Sequence, residues 1–143
     1  MKPIANSQLT GKWYNIARTR NFFEMNFVEI FLYISIAYKN YLDLLYVGVK
    51  GDRSKVLKKL TLKILTKNDV NFIIIKKGLF KKTIRILTFD DKNGILILSD
   101  RKMKYLSIFS RKPIMQHEIM ESYLNQIEEL NGKRIELYSG SIV

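Results

Sequence analysis

Between residues 12 and 111 short polar turns cut the chain at roughly ten-residue spacing, and within each interval apolar and polar side chains alternate one by one. Residues 58–66 (KKLTLKILT) show this most cleanly, with Leu60, Leu62 and Ile64 on one parity and Lys59, Thr61 and Lys63 on the other. A period of two belongs to a strand with one dry face and one wet face. Residues 12–19 read as the first strand and Asn21–Asn26 as a loop across a barrel mouth. Residues 27–38 set Val28, Ile30, Leu32, Ile34 and Ile36 inward, against Phe27, Glu29, Phe31, Tyr33 and Ser35 outward. The two polar residues Lys39-Asn40 make a hairpin turn. The next strand, 41–49, then places Leu42, Leu44, Tyr46 and Gly48 on one side. Gly51–Ser54 is a further turn. After Lys67–Asp69 comes 70–77, read with Val70, Phe72 and Ile74 inward, then Gly78, and 82–89 with Ile86 inward. The turn Asp90–Gly94 leads to 95–99, and the turn Asp100–Lys104 to 105–111. Eight strands joined by hairpin turns predict an all-β chain, an up-and-down antiparallel barrel or a sandwich, and argue against βαβ units.

Beyond Pro113 the period changes. Met120, Tyr123, Leu124, Ile127 and Leu130 fall on one face of a helix over 115–131, favoured near its start by Glu118 and Glu121 and ended by Gly132 as a left-handed cap. Packed outside the barrel, this helix covers the outer residues Leu106 and Ile108. A short strand over 134–138 closes the chain.

With 143 residues, 47% of them hydrophobic and 27% charged, the chain forms one domain around a single core. Glu29, Lys39 and Asp43 interrupt its richest apolar region, so no run of about 18 apolar residues is left to span a membrane as a helix. The first ten residues hold no apolar run of signal-peptide length. Cysteine is absent, which excludes disulfides, thiolate metal sites, a cysteine nucleophile and a lipoprotein anchor. The chain as given reads as cytoplasmic. The net charge of +12 and a pI near 9.9 point to anionic partners, an anionic lipid surface or nucleic acid, set against a basic face that is merely solvated.

Two stretches carry a resemblance. Gly11-Lys12-Trp13-Tyr14 opens GKWYNIARTRNFFE, and Tyr105-Leu106-Ser107-Ile108-Phe109-Ser110-Arg111 stands about a hundred residues later, followed by the amphipathic helix. Together they resemble the lipocalin family, and within it the bacterial lipocalin and apolipoprotein D branch. The resemblance implies an eight-stranded calycin barrel closed at one end by Trp13 lying under the Arg111 guanidinium, with Gly11, Trp13 and Arg111 as structural residues. It also implies an open mouth opposite and a calyx for a small hydrophobic ligand of the fatty-acid or lysolipid type, to be carried or scavenged. The family's middle block is not recognisable here; Leu98-Ser99-Asp100-Arg101 sits near its place.

The inward set is almost wholly apolar: Ile30, Leu32, Ile34, Leu42, Leu44, Tyr46, Leu60, Leu62, Phe72, Ile74 and Ile86. Such a lining suits an acyl chain, although large aliphatic side chains can equally fill a small barrel. Arg18, Arg20, Lys50, Arg53 and Lys76 are candidates to meet an anionic head. The only histidine, His117, begins the outer helix, so neither a metal site of the usual ligands nor a Ser-His-Asp arrangement can be assembled. No glycine-rich phosphate loop is present, and no cofactor is implied. The chain therefore reads as a binding protein and not an enzyme. Two other readings stand beside this one. Lysines interleaved with exposed aromatics such as Phe31 and Tyr33 suit single-stranded nucleic acid, but that barrel needs five strands and this chain has eight. An outer patch of Phe27, Phe31, Tyr33, Leu45 and Val47 suits a homodimer or a membrane surface.

Overall fold

The computed structural model describes residues 3–19, 24–132 and 136–137. A one-turn helix α1 (Asn6–Leu9) leads into eight strands: β1 (Gly11–Arg18), β2 (Phe27–Ile36), β3 (Tyr41–Lys50), β4 (Lys55–Lys67), β5 (Val70–Lys77), β6 (Phe80–Asp90), β7 (Ile95–Ser99) and β8 (Leu106–Ser110). Helix α2 (His117–Asn131) follows. Each strand pairs antiparallel with the next and β8 pairs back onto β1, so the sheet is a closed barrel. Closure removes both sheet edges and leaves an inner and an outer face.

Two apolar clusters share this wall. The inner one holds Leu9, Trp13, Phe27, Ile30, Leu32, Ile34, Leu42, Leu44, Leu62, Ile73, Ile86, Leu96 and Phe109. The outer one sets Ile16, Ala17, Leu87, Ile95, Ile97, Leu106 and Ile108 against Met115, Met120 and Ile127, so α2 does cover the outside of the last strands, as the periodicity predicts. Gly132 caps α2 at φ +77°, its N–H donating to the Glu128 carbonyl. Leu130, expected on the packed face, is 71% exposed. Of the strand expected over 134–138, only Glu136 and Leu137 lie within the described residues, and neither is in a strand.

The register overturns two parities. Across β4 and β5, Leu62 faces Ile75 and Ile64 faces Ile73, so Ile73 and Ile75 point inward while Phe72 and Ile74 point out. Both parities of this strand carry large aliphatics, so alternation alone cannot choose between them. At the start of β2 a bulge between Phe27 and Glu29 turns Phe27 into the barrel and leaves Val28 53% exposed. Gly48 explains how the ring fits: a Cβ there would lie 2.6 Å from it. The expected outer patch is thereby broken up. Phe27 has left it, Val47 is buried, and Lys12 lies 4.5 Å from the ring centroids of both Tyr14 and Phe31 and 5.4 Å from that of Tyr33.

Candidate ligand calyx

Trp13, near the start of β1, is fully buried, and its indole N–H donates to the Leu9 carbonyl at 3.0 Å, which fastens α1 beneath the barrel. The Arg111 guanidinium lies 3.7 Å from the centroid of the Trp13 ring and donates to the carbonyls of Gln8 (2.9 Å) and Lys12 (3.2 Å). An indole face, a stacked cation and two carbonyls satisfy one another here in a site largely withdrawn from water. Phe89 meets Trp13 edge-on at 6.5 Å, and the Arg111 N–H donates to Gly94. The residues packed beside the indole thus come from the end of β6 and the β6–β7 turn. Leu98–Arg101, where the family's middle block was looked for, leads into the β7–β8 loop at the other end of the barrel.

That opposite end carries the end of β1, the start of β2 and the connections 51–54, 78–79 and 100–105, and is the mouth side. Leu9, Trp13, Leu42, Ile86 and Leu96, toward the plug, are at most 1% exposed, and Phe27 and Ile30 near the mouth are buried as well. Tyr46, Val56, Ile75, Ile84 and Leu98 toward the mouth, and Ile64 and Phe89 toward the plug, are only partly buried. Of the expected lining, Ile30, Leu32, Ile34, Leu42, Leu44, Tyr46, Leu60, Leu62 and Ile86 belong to the inner cluster or pack against it. Phe72 and Ile74 do not; they sit on the outer wall, and Ile73 and Ile75 take their places.

One side of the mouth is closed by polar contacts. Arg18, buried at the end of β1, donates to Asn15 Oδ1 at 3.0 Å and to the carbonyls of Phe27 (2.7 Å) and Glu24 (3.4 Å). The Tyr46 hydroxyl donates to Glu24 Oε2 at 2.5 Å. Burial, and then the neighbouring Glu24 carboxylate, push the Tyr46 phenol well above its ordinary value, so it stays a donor.

The other side is lined differently. Lys58 faces Tyr46, Lys77 faces Phe80 and Lys82 faces Ile75, which puts all three lysines on the inner parity where β4, β5 and β6 reach the mouth. Lys58 Nζ stands 5.7 Å from the Tyr46 ring centroid. Among the described residues none of the three forms an ion pair. The cations expected at the mouth are placed otherwise. Arg18 is committed to the contacts above, Arg53 reaches Glu29 at 3.8 Å on an exposed rim, Lys50 is exposed at the end of β3, and Lys76 points outward. Arg20 lies outside the described residues. The signal for Lys58 was present in the sequence, since it shares the parity of Leu60 and Leu62. Lys82 likewise shares the parity of Ile86, whereas for Lys77 the signal was hidden by the ambiguous phase of β5.

His117 stands at the first turn of α2, 63% exposed in its side chain and 3.8 Å from Glu121, remote from the lumen. Among the described residues no three His, Cys, Asp or Glu side chains are grouped to hold a metal ion. A groove of about 590 Å³ lies along β1–β4, lined by Gly11, Ile34, Leu44 and Leu60 together with outward residues such as Lys12, Tyr33, Asp43 and Lys59.

No protein-family model and no curated protein matches the chain by sequence. Solved structures do match by shape. A major allergen from cockroaches, Per a 4, superposes with a TM-score of 0.75 at 14% identity, over 98% of this chain and 89% of that one. Lobster apocrustacyanin A1 gives 0.63 at 20% identity, over 94% and 79%. The siderocalin Ex-FABP, described as functioning through dual ligand specificities, gives 0.61 at 16% identity, over 95% and 99%. At these identities the likeness speaks to architecture, and the architecture is the lipocalin fold: a closed eight-stranded antiparallel barrel with a C-terminal helix on its outer wall.

Proposed function

We propose that this protein binds and carries or scavenges a small amphiphile, of the fatty-acid or lysolipid type, with its chain in the upper calyx and its anionic head among Lys58, Lys77 and Lys82. The observation that carries this reading is the inner wall of β3–β6, an aliphatic lining that ends in inward lysines at the mouth. An acyl chain gains about 0.8 kcal/mol for each methylene withdrawn from water. The lysines add charge-assisted hydrogen bonds that a neutral head cannot form. Among the described residues this wall pairs no nucleophile with a base, and we read the protein as a container and not a catalyst. The structural neighbours support this reading through the siderocalin, a protein of the same fold that is described by its ligand specificities.

A dansyl-labelled fatty acid tests it. The expected result is saturable one-to-one binding, displacement by unlabelled fatty acid or lysophosphatidate, and at least about tenfold weaker binding of the methyl ester, as loss of a hydrogen bond to a charged group dictates. Absence of saturable binding would overturn the calyx. Equal binding of acid and ester would leave the calyx and remove the head-group site.

A further inference from the structure

We infer that the β5–β6 hairpin is a prong that seats the mouth of the barrel on an anionic lipid bilayer. Its sequence, residues 76–82, is Lys-Lys-Gly-Leu-Phe-Lys-Lys. At the tip Leu79 is fully exposed (107%) and Phe80 is 65% exposed, while Lys76 and Lys77 precede them and Lys81 and Lys82 follow. Lys76 faces Lys81 and Lys77 faces Phe80 across the ribbon, so one lysine pair lies on the outer face while Lys77 and Lys82 share the inner one. Positive charge therefore surrounds the apolar tip on both faces. Gly78, at φ +60°, makes the two-residue connection that brings the two sides together.

Among the described residues no apolar cluster uses these two side chains. The β6–β7 ladder ends at Arg85–Ser99, so β6 residues 80–84 pair with β5 alone and the ribbon stands clear of β7. Leu79 and Phe80 belong to neither apolar cluster.

Charge is distributed to match. At the plug end the turns balance, with Lys39, Lys67 and Lys92 against Asp69, Asp90 and Asp91. At the mouth the four hairpin lysines, together with Arg53, Arg101, Lys102 and Lys104, stand against Glu24, Asp52 and Asp100. Asp100 is itself occupied, accepting the N–H groups of Lys104 and Tyr105. A cationic rim around a protruding leucine and phenylalanine fits a surface that is negative outside and apolar a few ångströms below. Nucleic acid would use the lysines and leave Leu79 in water. Docking in this orientation presents the calyx to the bilayer, yet it does not depend on the calyx being loaded.

Flotation of the full chain with vesicles decides the matter, using phosphatidylcholine alone and phosphatidylcholine with phosphatidylglycerol. The expected result is capture by the anionic vesicles only. Capture should weaken at least about tenfold in Leu79→Ser/Phe80→Ser, and roughly fivefold for each of Lys76→Gln and Lys81→Gln, the outward pair. Since Leu79 touches nothing it can destabilise, L79S alone serves as the folding-neutral variant and is expected to weaken capture. Lys39→Gln, at the plug end, should leave it unchanged. Capture equal on neutral vesicles, indifference to the Leu79 and Phe80 substitutions, or displacement by single-stranded oligonucleotide without lipid preference would each overturn the inference. Dansyl fatty-acid binding by the same variants reads the calyx independently, so failure of one proposal is distinguishable from failure of the other.

Discussion

Gly11 stands at φ +106°, and the Cβ that any other residue would add lies 2.9 Å from Arg111 Nη1. Two constraints thus meet at one position, a backbone region that L-residues avoid and the cation that seals the barrel. Gly11→Ala is expected to destabilise by more than about 1 kcal/mol in urea unfolding. Arg111→Lys, which keeps the charge but cannot both stack on the indole and reach two carbonyls, should cost about 1–2 kcal/mol. Gly48 and Phe27 form a second such pair, since the missing Cβ is the room the ring occupies. Gly48→Ala should cost about 1–3 kcal/mol in wild type and far less beside Phe27→Ala, so a double-mutant cycle will show strong coupling. Trp13 and Arg111 were legible as a pair from their flanking motifs. The Gly48–Phe27 pair was not, because the bulge that rotates Phe27 inward leaves no mark in the alternation.

A hydrogen bond joins the helix to the end of β6: the Tyr123 hydroxyl donates to Asp90 Oδ2 at 2.9 Å. Asp90 also accepts from the Asn93 backbone and side chain, and these bonds hold its carboxyl below the ordinary aspartate value. Its stabilising contribution is therefore complete above the unfolded pKa of about 4 and is lost as pH falls through the lower folded value. Asp90→Asn should be less stable than wild type at pH 7, with the gap closing below about pH 4 in thermal melts. Tyr123 shifts the opposite way: burial and the Asp90 carboxylate push it up to about 12. The neutral phenol is the folded form, so stability falls as pH rises from about 10 to about 12. Tyr123→Phe should flatten that alkaline decline, leaving the part that belongs to Tyr46, which is raised as well. The helix itself, its Gly132 cap and its Met120–Ile127 face were readable from periodicity. Its hydrogen bond to the end of β6, some thirty residues away, was not, since nothing local to either segment requires it.

Across the whole molecule, a net charge of +12 crowded toward one end of a small barrel repels itself. Raising sodium chloride from about 0.05 to 0.5 M shortens the screening length to a few ångströms and should raise the melting temperature. Neutralising Lys58, Lys77 and Lys82 to Gln should reproduce part of that gain at low salt while weakening the fatty acid more than its ester. The alternation of residue types, the polar turns and the change to a helical period determined, before any coordinates, how many strands there are, where they turn and that a helix lies outside them, because each is a local consequence of backbone geometry. Local patterning also gave the correct inner face where one parity was polar, as in β4. Where both parities are aliphatic, as in β5, only pairing with β4 decided that Ile73 and Ile75 face inward and Phe72 and Ile74 do not. The inward lysines and the clustering of charge at the mouth were likewise settled by tertiary structure. Each depends on which strands stand side by side and which end of the tube their turns share, and no single segment holds that information.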